Sequence, residues 1–228
     1  MNDAVSDGSI PGMRRWRGTP PADRIAARRE QLIEAAIELM ATIGASDISM
    51  RGVCRQAGLT ERYFYESFPS LDKLLTAALE AVVLGAQERL LAALATAPPE
   101  PQKLFRHAIS AFTDYLVEDR RRGQIMFVES QATRVLGDRG NELIELFTAP
   151  IALTIGLAAD SPQTPPDQYE NSLNSNAIFG AMAYMYRPWL DGTIDIPRER
   201  FDDHATSVLR NISAARSSEP PAGALSSR

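Results

Sequence analysis

Apolar side chains recur at every third or fourth position along most of this chain, which is the spacing of one face of an α-helix. Glycine and proline residues concentrate in the tails and at the junctions where the repeat stops. The pattern therefore predicts an all-α protein. We expect about nine helices, covering residues 23–44, 49–57, 60–68, 71–95, 101–118, 124–136, 141–159, 167–189 and 197–214.

Two of these helices are short and are separated only by Ala57-Gly58-Leu59. Ser49 can cap the first helix through its hydroxyl, and Gly58 can adopt the left-handed conformation that ends it. Thr60 stands where it can cap the second helix. Two helices joined by a three- or four-residue turn containing glycine are typical of the helix-turn-helix motif, whose second helix enters the DNA major groove. A helical hairpin inside an all-α core is the alternative interpretation of this spacing.

Each short helix has one apolar stripe at helical spacing. The stripes consist of Met50, Val53, Cys54 and Ala57 in the first helix and Phe64 and Phe68 in the second. The rest of the second helix offers an arginine and two tyrosines, which suit contacts with phosphates and base edges. Its polar positions are Glu61, Arg62, Tyr63, Tyr65, Glu66 and Ser67.

The charge of the chain is compatible with a nucleic-acid partner but does not establish one. The net charge is −5, yet residues 1–68 carry as many basic as acidic residues, so the acidic excess lies entirely further along. Phosphate contact needs a local basic patch rather than a basic protein. The run Arg14-Arg15-Trp16-Arg17 is interpreted either as an arm for the minor groove or as a solvated charge cluster.

Other function classes find little support in the sequence. Cys54 is the single cysteine, and His107 and His204 lack partners at a metal-binding spacing, so we expect no disulfide, metal or cofactor. The chain contains no GxSxG, phosphate-binding glycine loop or HExxH, and we therefore expect that it is not an enzyme. It has neither a signal peptide nor a predicted membrane span, which favours a cytoplasmic protein with no membrane partner.

Residues 24–75 resemble the DNA-binding domain of the TetR family of bacterial transcriptional repressors. The resemblance rests on Ala57-Gly58-Leu59-Thr60, the Tyr65-x-x-Phe68 pair, Pro69-Ser70 and Leu74-Leu75. It implies a three-helix helix-turn-helix domain over residues 23–70. A helical ligand-binding and dimerisation domain is expected over residues 71–215, with disordered tails at residues 1–22 and 216–228.

The resemblance also implies which side chains meet double-stranded DNA. Thr60 is expected to bind phosphate through its hydroxyl or the helix N-terminus, and Tyr65 is expected to lie on the sugar–phosphate backbone. Arg62 and Tyr63 occupy positions that reach base edges in relatives. The full set of expected DNA contacts is Arg51, Arg55, Thr60, Glu61, Arg62, Tyr63, Tyr65 and Lys73.

Three residues depart from the family pattern. Arg62 stands where many relatives have glycine or another small residue, and Leu71 replaces the usual lysine at the start of the fourth helix, where Lys73 can substitute for it. Glu66 places a carboxylate where relatives often have a basic or aromatic side chain. These departures motivate an alternative function, a helical ligand- or partner-binding dimer that does not bind an operator.

In the family, helices four to seven enclose an effector cavity, and the helices before the C-terminus form a four-helix dimer interface. The candidate cavity residues are Phe105, Phe112, Tyr115, Met126, Phe127, Glu129 and Phe147, although such residues are also common in an ordinary core. The candidate dimer residues are Phe179, Met182, Met185, Trp189, Phe201 and Val208. The resemblance thus implies a homodimeric repressor with a near-palindromic operator and a small, largely apolar effector.

Overall fold

The computed structural model describes residues 21–98, 100–157 and 168–214. These residues form nine α-helices, with short 3₁₀ turns at Ala45–Asp47 and Glu129–Gln131, and they contain no β-strand, so the all-α prediction is confirmed. The helices are α1 (Pro21–Ile43), α2 (Met50–Ala57), α3 (Glu61–Ser67), α4 (Leu71–Thr96), α5 (Pro101–Glu118), α6 (Arg121–Phe127), α7 (Arg134–Leu157), α8 (Gln168–Leu190) and α9 (Arg198–Ala214).

Some predictions fall on residues beyond these ranges. The C-terminal tail, the arginine cluster at residues 14–17 and the link between the predicted helices 141–159 and 167–189 all lie outside the described residues. The same holds for the predicted N-terminal tail up to residue 20. Its last two residues, 21 and 22, belong instead to α1, which begins at a proline as helices often do.

The end groups of α2 behave as the sequence predicts. The Ser49 hydroxyl accepts a hydrogen bond from the Gly52 amide at 3.1 Å, and Gly58 ends the helix with a left-handed φ of 65°. Ser70 caps α4 in the same way by accepting from the Lys73 amide. Thr60 occupies the position before α3, but its side chain makes no capping bond, so the capping role expected of it is wrong.

The first three helices pack around a common apolar core. Phe64 of α3 is fully buried, and its ring lies 6.3 Å from that of Phe68, centre to centre. Leu32 and Met40 of α1 and Val53 of α2 are fully buried in the same hydrophobic cluster. Helix α4 extends this core because it packs on α1, α5 and α7.

The sequence misplaces the helices between residues 119 and 157. The predicted helices at 124–136 and 141–159 are replaced by α6, the second 3₁₀ turn and a longer α7. The break comes at Val128, which has non-helical angles of φ −123° and ψ −61°. Ser130 then donates to the Met126 carbonyl, a local side-chain bond that competes with helix continuation. Arg121 and Arg122, which precede the predicted helix at 124–136, belong to the first turn of α6.

The C-terminal helices are held together by Tyr186 of α8, which is fully buried. Its ring lies 5.3 Å from that of Phe112 and 4.8 Å from that of Phe201. Burial raises the pKa of the Tyr186 phenol, so the hydroxyl stays protonated and can donate to Thr113 at 2.8 Å. Thr113 in turn donates to the buried carboxylate of Asp202 at 2.8 Å, which links α5, α8 and α9 through satisfied polar groups.

Candidate nucleic-acid interface and effector region

Helix α3 is anchored on one side and exposed on the other. Phe64 and Phe68 hold it to the core, whereas Tyr65 is 60% exposed and the Arg62 side chain is 84% exposed. Thr60, at the N-terminal end of α3, is also exposed. An arginine, a tyrosine and a hydroxyl thus lie on the accessible side of a helix whose position is fixed by packing.

Two arginines on this surface are paired with carboxylates of α3. The Arg51 Nε atom of α2 lies 3.0 Å from Glu61 Oε1, and the Arg62 Nε atom lies 3.0 Å from Glu66 Oε1. Both pairs are largely exposed, so each contributes little to folding stability. Their effect is instead to set the orientation and local charge of the exposed surface.

Helix α1 supports α3 through two further arginines. The Arg28 guanidinium lies 4.2 Å from the centre of the Tyr63 ring, and its Nη1 atom lies 3.6 Å from Glu66 Oε2. The Arg29 guanidinium lies 4.1 Å from the centre of the Phe68 ring and donates to the Ser67 carbonyl. Stacking of arginine on an aromatic ring is favourable, so both side chains contribute to the position of α3.

The eight expected DNA contacts lie on α2, directly before or on α3, and at the start of α4. Arg51, Arg55, Thr60, Glu61, Arg62, Tyr65 and Lys73 are exposed. Tyr63 is half-buried, because the Arg28 side chain covers its ring. Sequence reasoning missed the contact between Arg28 and Glu66, since these residues are 38 positions apart and no local pattern joins them.

Two small apolar cavities lie among the later helices, with volumes of about 10 Å³ and about 20 Å³. The Phe105 cavity is lined by Leu90, Phe105, Ala108, Ile109, Phe112, Phe147 and Met182. The Met126 cavity is lined by Leu79, Val83, Met126, Ser130, Gly140, Leu143, Ile144, Phe147 and Phe179. Phe147 belongs to both linings, and no charged side chain belongs to either.

Four of the seven expected cavity residues line these spaces, namely Phe105, Phe112, Met126 and Phe147. The other three, Tyr115, Phe127 and Glu129, do not. Tyr115 lies against Gly85 of α4 and donates to the Val82 carbonyl at 2.8 Å. A Cβ atom at Gly85 would stand only 2.7 Å from the Tyr115 hydroxyl, so this contact depends on glycine. Phe127 packs instead on Phe112 and Tyr186.

The carboxylate of Glu129 points to the N-terminal domain rather than to a cavity. It is 5% exposed, accepts a hydrogen bond from the Ala45 amide at 2.7 Å and accepts another from the Gln124 side chain at 3.1 Å. Two N–H donors thus satisfy a buried carboxylate that would otherwise be costly. Its neighbours Met126 and Ser130 line the Met126 cavity, so this turn contacts both the cavity and α1's end.

A second polar connection joins α6 to α1. Arg121 Nη1 lies 2.7 Å from Glu34 and 2.9 Å from Glu38, and the Arg121 Nη2 atom lies 2.7 Å from Asp119. The hydrogen bonds from Arg121 hold the pKa of the Asp119 carboxyl below its usual range. Three carboxylates therefore share one guanidinium where the N-terminal helices meet the later ones.

The expected dimer residues are only partly on the surface. Met182 and Phe201 are 1% and 4% exposed within a single chain, so their assignment to a dimer interface is corrected to the subunit core. Phe179, Met185, Trp189 and Val208 are half-buried, and the Trp189 ring stacks on that of Phe201. Sequence reasoning missed the most exposed apolar residues of α8, which are Tyr169, Leu173 and Tyr184.

Within the described ranges, no group of three or more histidine, cysteine, aspartate or glutamate side chains is arranged to hold a metal ion. None of the helices in these ranges combines the length and the apolar character that crossing a membrane requires.

Comparison with known proteins gives a family match for the N-terminal part. Residues 32–78 match the family model described as bacterial regulatory proteins, tetR family, and this range includes the whole of α2 and α3. The resemblance predicted over residues 24–75 is therefore confirmed. No curated protein matches the sequence.

Solved structures share the fold over most of the chain. A proposed tetR family transcription regulator from Shewanella sp. PV-4 has a TM-score of 0.68 at 15% identity, covering 81% of this chain and 96% of its own. The fatty acid degradation regulator FadR from Bacillus halodurans has a TM-score of 0.67 at 14% identity, covering 85% and 97%. FadR from Bacillus subtilis, solved with stearoyl-CoA, has a TM-score of 0.66 at 17% identity, covering 79% and 96%. At these identities the likeness shows the fold alone.

Proposed function

We propose that this chain is a DNA-binding transcriptional repressor, because residues 32–78 match the model of the tetR family of bacterial regulatory proteins. It binds a near-palindromic operator in the cytoplasm as a homodimer and is released by a small, largely apolar effector. The observation that carries this proposal is the surface of α3, where Arg62 and Tyr65 are exposed on a helix anchored by Phe64.

The N-terminal end of α3 offers the phosphate contact. The Thr60 side chain makes no capping bond, so its hydroxyl remains able to donate to a phosphate oxygen. The backbone N–H groups of the first turn favour an anion at the same place. If Thr60 and Tyr65 contact the sugar–phosphate backbone of DNA, α3 lies in the major groove and Arg62 faces the base edges.

The alternative function is a dimer without operator binding. Glu66 and Leu71, the two residues that motivated it, each have another explanation. Glu66 is paired with Arg28 and Arg62, so two guanidinium groups offset most of the repulsion between its carboxylate and DNA phosphates. Leu71 is half-buried and packs against the core, which gives it a structural reason to replace a lysine. Lys73, two residues later, is exposed and available for a phosphate.

The homodimer is supported by an apolar face on α8. Tyr169 and Tyr184 are each 80% exposed, and Leu173 is 69% exposed. Their spacing of four and eleven residues puts them on one side of the helix. Large exposed apolar side chains in a row mark an interaction surface, and a second copy of α8 would cover them in a two-fold arrangement. Light scattering of the wild type and of Tyr184→Glu tests this, with a dimer and a monomer as the expected results.

An apolar effector is supported by the lining of the two cavities. Ser130 is the only hydroxyl-bearing residue in the Met126 cavity lining, and the Phe105 cavity lining has none. Since unpaired polar groups are costly in such surroundings, the part of the effector that enters them should be hydrocarbon or aromatic. The stearoyl-CoA held by the Bacillus subtilis neighbour suggests fatty acids and acyl-CoA compounds as the first ligands to test.

Release from DNA requires a path from the cavities to α3. Met126 and Ser130 line the Met126 cavity, and Ser130 lies in the 3₁₀ turn Glu129–Gln131. The Glu129 carboxylate of this turn accepts a hydrogen bond from the Ala45 amide directly after α1. An effector that displaces this turn would move α1 and, through Arg28 and Arg29, α3. It favours the released form only by binding that form more tightly than the DNA-bound form.

The decisive experiment is a fluorescence anisotropy titration against DNA flanking the gene for this chain, together with duplexes selected from a random library. Saturable binding that resists competitor DNA and is weakened by Arg62→Ala and Tyr65→Ala supports the proposal. Selection that enriches no sequence would contradict it, and would favour the alternative of a ligand-binding dimer without an operator.

A further inference from the structure

We propose that Glu66 and Arg28 are positioning residues that hold Arg62 in place to read one guanine of the operator. This inference rests on the proposed function and adds to it a specificity-determining arrangement. We name the three side chains the Arg28–Glu66–Arg62 chain. It links α1 to the exposed side of α3 and contains the arginine and glutamate that depart from the family pattern.

Glu66 uses a different oxygen for each arginine. Its Oε1 atom lies 3.0 Å from Arg62 Nε, and its Oε2 atom lies 3.6 Å from Arg28 Nη1. The first distance is that of a good charge-assisted hydrogen bond, and the second is that of an ion pair. Because each oxygen has its own partner, the carboxylate plane is fixed between the two guanidinium groups.

Arg28 is itself held at three points. Its Nε atom donates to the Arg24 carbonyl at 3.1 Å, its guanidinium lies 4.2 Å from the Tyr63 ring centre, and it pairs with Glu66. Its side chain is only 22% exposed, compared with 84% for Arg62. Arg28 is therefore the fixed end of the chain, and Arg62 is the end that DNA can reach.

The bond to Glu66 leaves the useful part of Arg62 available. A guanidinium has five N–H donors in a planar fork, and only the Nε donor is used here. Among the described residues, the terminal nitrogens of Arg62 have no hydrogen-bond partner. Reading guanine requires two parallel bonds to its O6 and N7 atoms, which a guanidinium supplies at less entropic cost when its plane is already fixed.

The same arrangement explains why a carboxylate is present on a surface that meets phosphates. Glu66 repels phosphate and so lowers affinity for all DNA, but it also keeps Arg62 from turning to a phosphate oxygen. Its contribution to overall affinity and its contribution to base discrimination therefore have opposite signs. A residue that only stabilised the fold would shift both quantities in the same direction.

The test measures affinity for a selected operator duplex and for duplexes in which each guanine is replaced in turn. The Arg62→Ala variant identifies the guanine that Arg62 reads. Replacing that guanine lowers the affinity of the wild type but no longer changes the affinity of the variant. For Glu66→Gln we expect discrimination at that guanine to fall by about fivefold, at the low end of the value of such a contact. Affinity for unrelated DNA should rise by about twofold, since one negative charge has been removed.

Glu30→Gln is the matched control. Glu30 is exposed on α1 in the same domain, and its substitution makes the same change of charge. We expect it to leave discrimination at the guanine unchanged. Arg28→Met, which keeps much of the packing on Tyr63, should reduce discrimination as Glu66→Gln does, and the double variant should lose little more than either single one.

The outcomes separate this inference from the proposed function. If the wild type selects an operator and Arg62→Ala loses the guanine preference, but Glu66→Gln keeps it, the inference is wrong and the proposed function stands. A fall in affinity for every duplex with Glu66→Gln, accompanied by a lower melting temperature, would likewise overturn the positioning role. If the wild type selects no sequence at all, the proposed function fails and the inference fails with it.

Discussion

The surface of α3 and the region around the two cavities differ in where their polar groups lie. On α3 the charged side chains are exposed and pair with one another, as in Arg62 with Glu66 and Arg51 with Glu61. Around the cavities the polar groups are buried and fully matched, as in Thr113 with Asp202, and the linings are apolar. Exposed charge suits a polyanion whose binding depends on salt, whereas an apolar lining suits a ligand whose binding does not.

The largest effects on the free energy of unfolding should come from replacing one buried phenylalanine by alanine in each region. Phe64→Ala removes a fully buried ring from the N-terminal core and should lower the free energy of unfolding by about 4 kcal/mol. Phe147→Ala should cost about 3 kcal/mol, since the ring already borders two cavities and has fewer neighbours to lose. Denaturant unfolding measures both. Equal losses, or a larger loss for Phe147→Ala, would contradict this account of packing.

Phe147→Ala should also change the affinity for apolar ligands. Removal of the ring joins the Phe105 and Met126 cavities, so longer apolar ligands should bind more tightly, by about tenfold. A series of fatty acids of increasing length, followed by calorimetry, measures the change. The gain should be the same at about 0.05 M and 0.2 M salt, a range in which DNA binding weakens strongly. A gain confined to short ligands would contradict the view that Phe147 divides the space.

Tyr65→Ala should separate DNA binding from stability. The ring is exposed, so its loss should change the free energy of unfolding by about 0.5 kcal/mol or less. Operator affinity should fall by about tenfold, because a backbone contact is lost. The same titration with Val117→Ala, which removes an exposed apolar group of α5, should show no such fall.

The smallest effect concerns pH at the junction of the two regions. The pKa of Asp119 is lowered by its hydrogen bonds to Arg121, so the carboxylate contributes stability above the pKa of an unfolded aspartate. That contribution is lost as pH falls through the lowered folded pKa. The wild type should exceed Asp119→Asn by about 1 kcal/mol near pH 7, and the difference should disappear in strong acid.

The measurement is denaturant unfolding of both proteins from neutral pH to about pH 3, where an unfolded aspartate is largely protonated and the difference should already have begun to shrink. A difference that grows as the solution becomes more acidic would contradict the sign of the shift. The control is Asp138→Asn, since Asp138 forms an exposed pair with Arg134 on α7 and should contribute little at any pH.

Local signals explain which parts of the fold could be predicted. Ser49, Gly58 and Ser70 each act through neighbours within a few residues, so the bounds of α2 and the start of α4 follow from the sequence. The turn after Val128 could not be predicted in full, because one contact that holds it, from the Ala45 amide to Glu129, joins residues 84 positions apart. Apolar periodicity alone continues through this point.

In the candidate site too, some features follow from local spacing and others depend on packing between distant residues. The residues exposed on α3 follow from the apolar stripe that buries Phe64 and Phe68, since the opposite side must face outward. The support given by Arg28 depends on the packing of α1 against α3, which no local spacing reveals. For the cavities, aromatic content suggested the right helices, but burial decided that Met182 lines a cavity rather than a dimer interface.

The most direct test compares two similar ion pairs in the two regions. Arg62 pairs with Glu66 on α3, and Arg134 pairs with Asp138 on α7; both arginines are strongly exposed and four residues from their partners. Operator binding by Arg62→Ala and Arg134→Ala should be measured by anisotropy at one salt concentration. We predict that Arg62→Ala weakens binding by about tenfold or more, whereas Arg134→Ala matches the wild type. Equal binding by both variants would contradict the claim that α3 reads DNA.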